Sequence, residues 1–247
     1  MAVIHTETYK GKRYEIRTAG ASTRLYTNGV FHSQFNPNQR HHGSVWDLLC
    51  LPAWLGQPAV YKNVLILGVG GGAVIRMLQP ALPGARFTGI ELDAVHIRLA
   101  RKFFNVPKSA RLIQADAGEW VRQQQDADYD LIIDDLFGDN EGETLRAINA
   151  DRAWLDQLGE LLSPAGTLVV NFSSTADFRK SAFANWVTDN GLLPNSYTLG
   201  HKLLDNIVAV SSGRSDQRPG ASRLKQMLGS RRAKAISVKA VKPARRQ

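Results

Sequence analysis

The sequence of 247 residues contains a single cysteine and no apolar run of the length that crosses a membrane. One cysteine cannot form a disulfide within a chain, so we expect Cys50 to be a small buried residue of the core. A membrane-spanning helix needs roughly 20 consecutive apolar residues, and residues 1–16 lack the basic and apolar leader that directs secretion. These absences predict a soluble, cytoplasmic protein.

Acidic residues are scarce near the C-terminus, and this scarcity explains the net charge of +9. Residues 212–247 hold 11 of the 31 lysine and arginine residues but one acid, Asp216, so the rest of the chain is close to neutral. Because this segment is also poor in aromatic residues, we expect a disordered basic tail over residues 213–247, with one short helix over 221–228. Such a tail is expected to make weak, salt-dependent contacts with phosphate or nucleic acid.

Two further parts precede the tail. Residues 1–58 are interpreted as a small β-rich region followed by a covering helix. Strand-like runs flank Asn28-Gly29, a pair that favours the positive φ angles of a hairpin turn. Residues 43–55 predict an apolar helix that is interrupted near Pro52. Residues 59–212 form the predicted main domain.

Short apolar runs alternate with helical patterns from Val64 onward, which is the sequence form of a parallel sheet with helices on both faces. The predicted strands cover 64–67, 86–90, 111–114, 130–134, 167–171, 196–199 and 206–211. The predicted helices cover 73–79, 94–104, 118–125, 151–162 and 176–190. We therefore expect an α/β fold with a doubly wound, Rossmann-like sheet of seven strands, the last two of which form an antiparallel hairpin.

A glycine-rich loop follows the first of these strands and leads directly into a helix. Its glycines are Gly68, Gly70, Gly71 and Gly72. Glycine permits tight turns and close approach to a ligand, and the helix start offers N–H groups. The next strand ends at Glu91, whose carboxylate can accept hydrogen bonds from both hydroxyls of a ribose, with Leu92 beside it. Nicotinamide enzymes and sulfonium enzymes both use this arrangement, so the motif leaves the cofactor open.

Two more strand ends carry acidic residues. Asp116 and Ala117 follow the third strand, where a carboxylate suits the amino group of an adenine; a nicotinamide enzyme would leave Asp116 without a role. The fourth strand ends at Asp134 and Asp135, and Asp139 follows. Because neighbouring carboxylates raise one another's pKa, this cluster indicates a cation or a proton transfer nearby, although helix capping would also explain the first two.

The order of these motifs resembles the spermidine synthase family of polyamine aminopropyltransferases, which have a class I S-adenosylmethionine-dependent methyltransferase fold. The resemblance covers about residues 25–175 and rests on these stretches: Asn28-Gly29, residues 64–70 with Arg76, Glu91-Leu92-Asp93, Asp116-Ala117 and residues 129–135. It implies that Glu91 and Leu92 bind the nucleoside, that Asp116 and Ala117 bind adenine, and that Asp135 begins the catalytic acidic loop. It also implies a dimer formed through the N-terminal β region.

The departures from the family concern the substrate. The glycine loop of the family carries an aspartate that receives the aminopropyl amine, and Gly71 stands at this position. His32 replaces a glutamine of the hairpin, and Asp47 lies where the family has the glutamate of a Tyr-His-Glu sequence. We retain His32, Asp47 and Asp139 as candidate substrate-binding residues and Asp134 as a candidate cofactor-binding residue.

The residues and the resemblance together favour a transferase that moves an aminopropyl group from decarboxylated S-adenosylmethionine to an amine, in polyamine biosynthesis. Asp135 would orient the amine and accept its proton. The first alternative is methyl transfer from S-adenosylmethionine, whose carboxylate would be received by N–H groups of residues 70–73. The second alternative is a catalytically inactive nucleoside-binding protein that acts through its tail. No metal site is expected, because the histidines lack partners at ligand spacing.

Overall fold

A separate antiparallel sheet forms the N-terminal part of the chain in the computed structural model, which describes residues 1–39, 41–56, 60–125, 128–140, 143–214 and 219–243. Its strands, paired in chain order, are β1 (Ala2–Tyr9), β2 (Lys12–Ala19), β3 (Ser22–Thr27) and β4 (Val30–Phe35). The predicted turn at Asn28-Gly29 is confirmed, since these residues have positive φ angles of 50° and 83°. The strand β1 was not indicated by the sequence pattern.

Helix α1 (Val45–Leu55) leads from this sheet into the main domain. The predicted interruption near Pro52 is wrong, because the helix continues through this residue. Every residue from Trp46 to Leu55 is buried, and packing on all sides offsets the backbone hydrogen bond that a proline cannot donate. Cys50 is fully buried in this helix, as expected.

The main domain contains a mixed sheet of eight strands, one more than predicted. In the order in which they hydrogen-bond, the strands are β14 (Ile236–Ala240), β12 (Tyr197–His201), β13 (Ile207–Ser212), β11 (Leu162–Phe172), β8 (Tyr129–Asp134), β5 (Asn63–Leu67), β6 (Arg86–Glu91) and β7 (Arg111–Gln114). The strands from β11 to β7 are parallel, whereas β13, β12 and β14 each run antiparallel to the neighbouring strand. The expected doubly wound α/β fold with a closing hairpin is therefore confirmed.

Helices cover both faces of this sheet, and each face has its own buried cluster. The helices are α2 (Ala73–Leu78), α3 (Ala94–Phe103), α4 (Ala117–Arg122), α5 (Arg152–Glu160), α6 (Thr175–Lys180), α7 (Phe183–Asp189) and α8 (Ala221–Ala233). Where one helix was predicted over 176–190, the extended backbone of Ser181 separates α6 from α7. Among the described residues, the helices are too short or too polar for a bilayer crossing.

A short hairpin of β9 (Phe137–Asn140) and β10 (Glu143–Arg146) follows β8. The sequence pattern assigned no element to this acidic stretch. The hairpin therefore replaces the loop that we expected after Asp135.

The topological switch point of the sheet lies at β5. The chain proceeds from β5 to β6 and β7 on one side and returns on the other side with β8. In open α/β sheets, ligands bind outside the carboxyl ends of the strands beside such a point. The glycine loop after β5, Glu91 at the end of β6 and Asp135 after β8 therefore lie along one edge of the sheet.

The C-terminal segment differs from the disordered tail that we expected. Residues 219–243, which we call the basic module, form α8 and β14, and β14 pairs with β12. Leu224 and Leu228 of α8 are buried in the same cluster as Tyr197 and Leu199 of β12. The composition argument failed because it treated the segment in isolation, whereas a few apolar side chains suffice when they dock onto an existing sheet.

Deletion of residues 219–247 should therefore destabilise the main domain. The deletion removes five residue pairs between β12 and β14 and exposes the apolar cluster beneath α8. We expect the midpoint of thermal unfolding, followed by circular dichroism, to fall by about 5 °C or more. The control is Lys239→Ala, which changes an exposed residue and keeps β14. An equal midpoint for the deletion variant and the full chain would contradict the docked arrangement.

Candidate active site

The glycine loop after β5 makes close contacts with residues that follow β8 and α3. Gly68, Gly70 and Gly72 all have positive φ angles, of 86°, 53° and 80°. A Cβ atom on Gly68 would lie 2.3 Å from the carbonyl oxygen of Asp135, and one on Gly72 would lie 2.3 Å from the side chain of Val106. Glycine is therefore needed here both for the backbone conformation and for the contact between the ends of β5 and β8.

Several N–H groups of this loop donate within the protein. The N–H groups of Val69 and Gly70 donate to Oε2 of Glu91 at 3.0 and 2.7 Å. The N–H group of Gly72 donates to the carbonyl oxygen of Val69 at 2.8 Å. Two of the N–H groups of residues 70–73, which we expected to receive a cofactor carboxylate, therefore have acceptors within the protein, and the expectation stays a prediction for those of Gly71 and Ala73.

Glu91 is a buried carboxylate with a fixed orientation. Only 8% of the residue is exposed. Its Oε1 accepts from the N–H group of Asp93 at 2.9 Å and lies 3.6 Å from Nδ1 of His96. Burial acts to raise the pKa of this carboxyl, but His96 and the N–H groups of Asp93 and Gly70 outweigh it and hold the pKa below its usual value. Glu91 is therefore ionised at neutral pH.

The N-terminal sheet docks on the residues that follow Glu91. The hydroxyl of Tyr14 in β2 donates to Oδ2 of Asp93 at 2.7 Å. Oγ1 of Thr27 in β3 lies 2.7 Å from Nε2 of His96, and both residues are buried. The site is therefore built from both sheets.

The residues expected at the adenine lie at neighbouring strand ends. Leu92 is 68% exposed. Asp116 is exposed and begins α4, where its Oδ1 accepts from the N–H group of Glu119 at 2.9 Å. Ala117 is buried in the first turn of α4. Their contacts with a ligand stay predictions.

Asp135 lies at the end of β8 and is partly buried. Its Oδ1 accepts from Nδ2 of Asn171 at 2.8 Å. Burial raises the pKa of Asp135 to about 6, with a further rise from the charge of Asp134, while Asn171, Arg146 and Trp46 lower it. Asp135 can therefore change its protonation state near neutral pH, as a group that accepts a proton must.

Asp134 does not face the crevice, and its expected contact with a cofactor needs correction. It is fully buried, and its Oδ2 accepts from Nη2 of Arg146 at 2.7 Å and from Nε1 of Trp154 at 2.8 Å. Arg146 also donates to the carbonyl oxygen of Asn171 at 2.5 Å. The buried ion pair therefore joins β10 to the ends of β8 and β11.

Asp47 has a structural role instead of the expected role in substrate binding. Its carboxylate accepts from the N–H groups of His42 at 2.9 Å and Ser44 at 3.0 Å, and from that of Gly43. Asp47 is 7% exposed, so an ammonium group could not reach it without opening this turn. The carboxylate serves to order the turn before α1.

The other two candidate substrate residues stay predictions. His32 lies beside the glycine loop, because a Cβ atom on Gly70 would be 3.1 Å from its carbonyl oxygen. Its ring centroid lies 4.9 Å from that of His96. The backbone of Asp139 pairs with Thr144 in the β9–β10 hairpin, and its side chain lies outside the described part of the structure.

Gly71 occupies a position where a side chain would not fit. A Cβ atom there would lie 2.8 Å from the ring of Phe104 and 2.8 Å from the Cβ atom of Ser33. Phe104 is 1% exposed and so cannot swing into solvent without opening the core. The aspartate that the resembling family carries here is therefore absent together with the space that it would need.

Gly71→Ala should lower the free energy of unfolding by about 1–3 kcal/mol, because the added methyl group overpacks this contact. Phe104→Leu removes the ring atoms that the methyl group would meet, so the double variant should lose less stability than the two single variants together. Urea denaturation followed by tryptophan fluorescence measures all three variants. Strictly additive losses would show that Phe104 does not limit the space at Gly71.

The candidate site is defined by the geometry of the strand ends. Two cavities, of about 520 and 260 Å³, flank β14 of the basic module and do not adjoin the glycine loop. Within the described ranges, no group of three or more His, Cys, Asp or Glu side chains is arranged to hold a metal ion.

Some residues of the site were missed by sequence reasoning. Asn171 is the last residue of a predicted strand and lies one residue before the end of β11, so the rule that ligands bind at the carboxyl ends of parallel strands could have found it. Thr27 and His96 are 69 residues apart in the chain, and no local pattern signals their contact. Arg146 lies in the hairpin that was not predicted.

Comparison with curated proteins gives relatives of two activities, and no family model matches the chain. Polyamine aminopropyltransferase 1 of Streptomyces coelicolor is 30% identical over 186 residues, which cover 70% of this chain and 33% of that protein. Polyamine aminopropyltransferase of Vibrio vulnificus is 30% identical, with 47% and 39% covered. The eEF1A lysine and N-terminal methyltransferase homolog of Drosophila melanogaster is 26% identical, with 45% and 18% covered. The chain thus spans less than half the length of each relative.

Solved structures show the same fold along nearly the whole chain. The crystal structure of a probable spermidine synthase from Corynebacterium glutamicum matches with a TM-score of 0.76 and 19% identity, covering 98% of this chain and 92% of that one. Spermidine synthase from Thermotoga maritima matches with a TM-score of 0.63 and 15% identity, covering 98% and 80%. Human methyltransferase-like protein 13 in complex with SAH matches with a TM-score of 0.57 and 17% identity, covering 82% and 92%.

Proposed function

We propose that this chain, a spermidine synthase-like protein with the class I methyltransferase fold, is a transferase that moves an aminopropyl group from decarboxylated S-adenosylmethionine to an amine, in polyamine biosynthesis. The observation that carries the proposal is the position of Asp135. This carboxyl, with a pKa of about 6, lies at the same sheet edge as the glycine loop and Glu91. The relatives named polyamine aminopropyltransferase support the choice of reaction.

The residues at the strand ends fit a nucleoside. Glu91 is ionised and would accept hydrogen bonds from the ribose hydroxyls. Leu92 offers an exposed apolar surface to the adenine ring, and the exposed carboxylate of Asp116 would accept from the adenine amino group. When bound, the cofactor supplies a carbon atom activated by an adjacent sulfonium.

Asp135 would handle the amine. An amine attacks only in its neutral form, so a proton must leave the nitrogen atom, and Asp135 can accept it because its pKa lies near neutrality. The hydrogen bond from Asn171 holds the carboxylate in place while it does so. Fixed alignment of the amine and the activated carbon supplies the rest of the rate enhancement.

The test compares the two sulfonium ligands on one sample of the full chain. Isothermal titration calorimetry measures the affinities for decarboxylated S-adenosylmethionine and for S-adenosylmethionine, and turnover is then assayed with linear diamines. Tighter binding of the decarboxylated form together with product formation is the expected result. Binding of either ligand without turnover would instead favour the catalytically inactive nucleoside-binding protein.

Methyl transfer from S-adenosylmethionine is the second candidate, and the packing at Gly71 favours it. The space for a carboxylate that would receive the aminopropyl amine is filled by Phe104 and Ser33. The methyltransferase relative from Drosophila melanogaster also supports it. Tighter calorimetric binding of S-adenosylmethionine than of its decarboxylated form would decide for this candidate.

We also propose that the basic module contacts polyanions such as RNA. Within residues 219–243, seven basic side chains are exposed and no acid is present: Arg223, Lys225, Arg231, Arg232, Lys234, Lys239 and Lys242. Binding of a fluorescent single-stranded RNA should be weak and should fall steeply between about 50 and 200 mM salt. The double variant Arg231→Gln/Arg232→Gln should reduce the salt dependence, whereas Lys10→Gln/Lys12→Gln in the N-terminal sheet is the control. Equal effects of the two double variants on the salt dependence of RNA binding would contradict a contact between the basic module and polyanions.

We also propose that the chain forms a dimer through the N-terminal sheet. Its edge strand β1 exposes Val3, Ile4 and Tyr9 by 53%, 51% and 49%. Exposed apolar residues on an unpaired strand edge favour association. Analytical ultracentrifugation of the full chain and of the Ile4→Lys variant tests this, and a monomeric full chain would refute it.

A further inference from the structure

A hydrogen-bonded residue pair connects the N-terminal sheet to the carboxylate that would bind the ribose. Thr27 ends β3, and its Oγ1 lies 2.7 Å from Nε2 of His96 in α3. The opposite ring nitrogen of His96, Nδ1, lies 3.6 Å from Oε1 of Glu91. Thr27, His96 and Glu91 are 6%, 6% and 8% exposed, so water screens these contacts weakly.

When His96 is neutral, the ionised carboxylate of Glu91 determines the direction of the hydrogen bond between Thr27 and His96. Glu91 is ionised, so the ring nitrogen that faces it is favoured with its proton on, as Nδ1–H. In the neutral imidazole, Nε2 then has a lone pair and accepts the hydroxyl proton of Thr27. The hydroxyl of Thr27 thereby stabilises the neutral tautomer of His96 whose Nδ1–H faces the carboxylate of Glu91.

The distance to Glu91 is also informative. At 3.6 Å, Nδ1 of His96 is farther away than a normal hydrogen-bond donor. The three backbone N–H groups that bond to Glu91 lie closer, at 2.7 to 3.0 Å. His96 therefore attracts Oε1 without filling its remaining acceptor position, which a ribose hydroxyl can occupy.

We propose that His96, oriented by Thr27, is a positioning residue that aims Oε1 of Glu91 at the ribose hydroxyls. The inference rests on the proposed role of Glu91 in nucleoside binding. It assigns the N-terminal sheet a direct part in cofactor recognition, beyond covering the site.

The test measures ribose recognition and not affinity alone. For each variant, calorimetry or ligand-observed NMR gives the ratio of the dissociation constants of 2′,3′-dideoxyadenosine and adenosine. We expect a ratio of about ten or more for the unchanged chain, since each lost hydrogen bond to a charged group weakens binding about tenfold. The ratio should fall severalfold in His96→Leu and Thr27→Val, and Thr27→Ser, which keeps the hydroxyl, should restore it.

The control is Tyr14→Phe, which removes another hydrogen bond between the N-terminal sheet and α3 without touching Glu91. A merely structural role of His96 would weaken adenosine and dideoxyadenosine equally and leave the ratio unchanged. An unchanged ratio in both His96→Leu and Thr27→Val, or an increase, would overturn the positioning role alone. A ratio near one in the unchanged chain would overturn the proposed nucleoside orientation and the positioning role with it.

Discussion

Affinity for S-adenosylhomocysteine, the stable nucleoside probe, should fall by about 10- to 100-fold in the Glu91→Ala variant. Three backbone N–H groups already bond to this carboxylate, so the variant loses one proposed hydrogen bond between the ribose and a charged group, worth about 1.5–3 kcal/mol. Asp116→Ala should weaken binding less, because Asp116 is exposed to water. Calorimetry measures both variants, with Glu160→Ala, an exposed acid at the end of α5, as the control.

Glu91→Ala should also destabilise the glycine loop. Without the carboxylate, the N–H groups of Val69, Gly70 and Asp93 lose their acceptor, and a lost buried partner costs about 1–3 kcal/mol each. Chemical denaturation in the absence of ligand separates this loss from the loss of affinity. Full stability together with unchanged affinity would show that Glu91 neither orders the loop nor binds the nucleoside.

Turnover in the Asp135→Asn variant should fall by about 10²- to 10⁴-fold, the usual contribution of a positioned proton acceptor. Cofactor affinity should change little, because the proposed nucleoside contacts lie at Glu91 and Asp116. Steady-state kinetics with the diamine that proves active measures the change. The control is Asp189→Asn, an exposed acid at the end of α7. Equal turnover of Asp135→Asn and the unchanged chain would remove Asp135 from the mechanism.

The pH dependence of activity and that of stability should have opposite signs. With a pKa of about 6, Asp135 is protonated in more acidic solution, so turnover should fall as the pH drops below about 6. The folded chain holds this proton more tightly than the unfolded chain, whose carboxyl has the ordinary value of 3.8. Stability from this group is therefore full below pH 3.8 and is lost as the pH rises through about 6.

Asp135→Asn should consequently be more stable than the unchanged chain at pH 7 to 8. The gain is about 1–3 kcal/mol, at about 1.4 kcal/mol for each unit of pKa shift. It should vanish near pH 4, and urea denaturation at the two pH values measures it. A variant that is less stable than the unchanged chain at neutral pH would mean that burial does not disfavour the ionised form of Asp135.

The sequence predicted those features that depend on short-range patterns. The strand ends at Gly68, Glu91 and Asp135 were found because the apolar run of each strand is followed within a few residues by a glycine or an acid. The turn at Asn28-Gly29 was found for the same reason. Such signals are local, and the parallel order of the sheet then brings them to one edge without further information.

Features that depend on distant partners were beyond the sequence pattern. Asp134 and Asp135 are adjacent acids, yet the first pairs with Arg146 in the core and the second lies at the site. Asp47 was predicted to bind an ammonium group, but in the structure its carboxylate accepts hydrogen bonds from N–H groups of the preceding turn. In each case a buried carboxylate needs donors, and which donors it meets is decided by tertiary packing.

The strand β14 of the basic module also bears on aggregation. Without it, β12 would become the edge of the main sheet, and four of its five residues, from Tyr197 to Gly200, are buried. An unpaired edge strand with buried side chains invites pairing with other chains, whereas β14 presents Lys239 and other exposed residues to solvent. Chains cut short before Ile236 should therefore self-associate more than the full chain, even where most of the fold has formed.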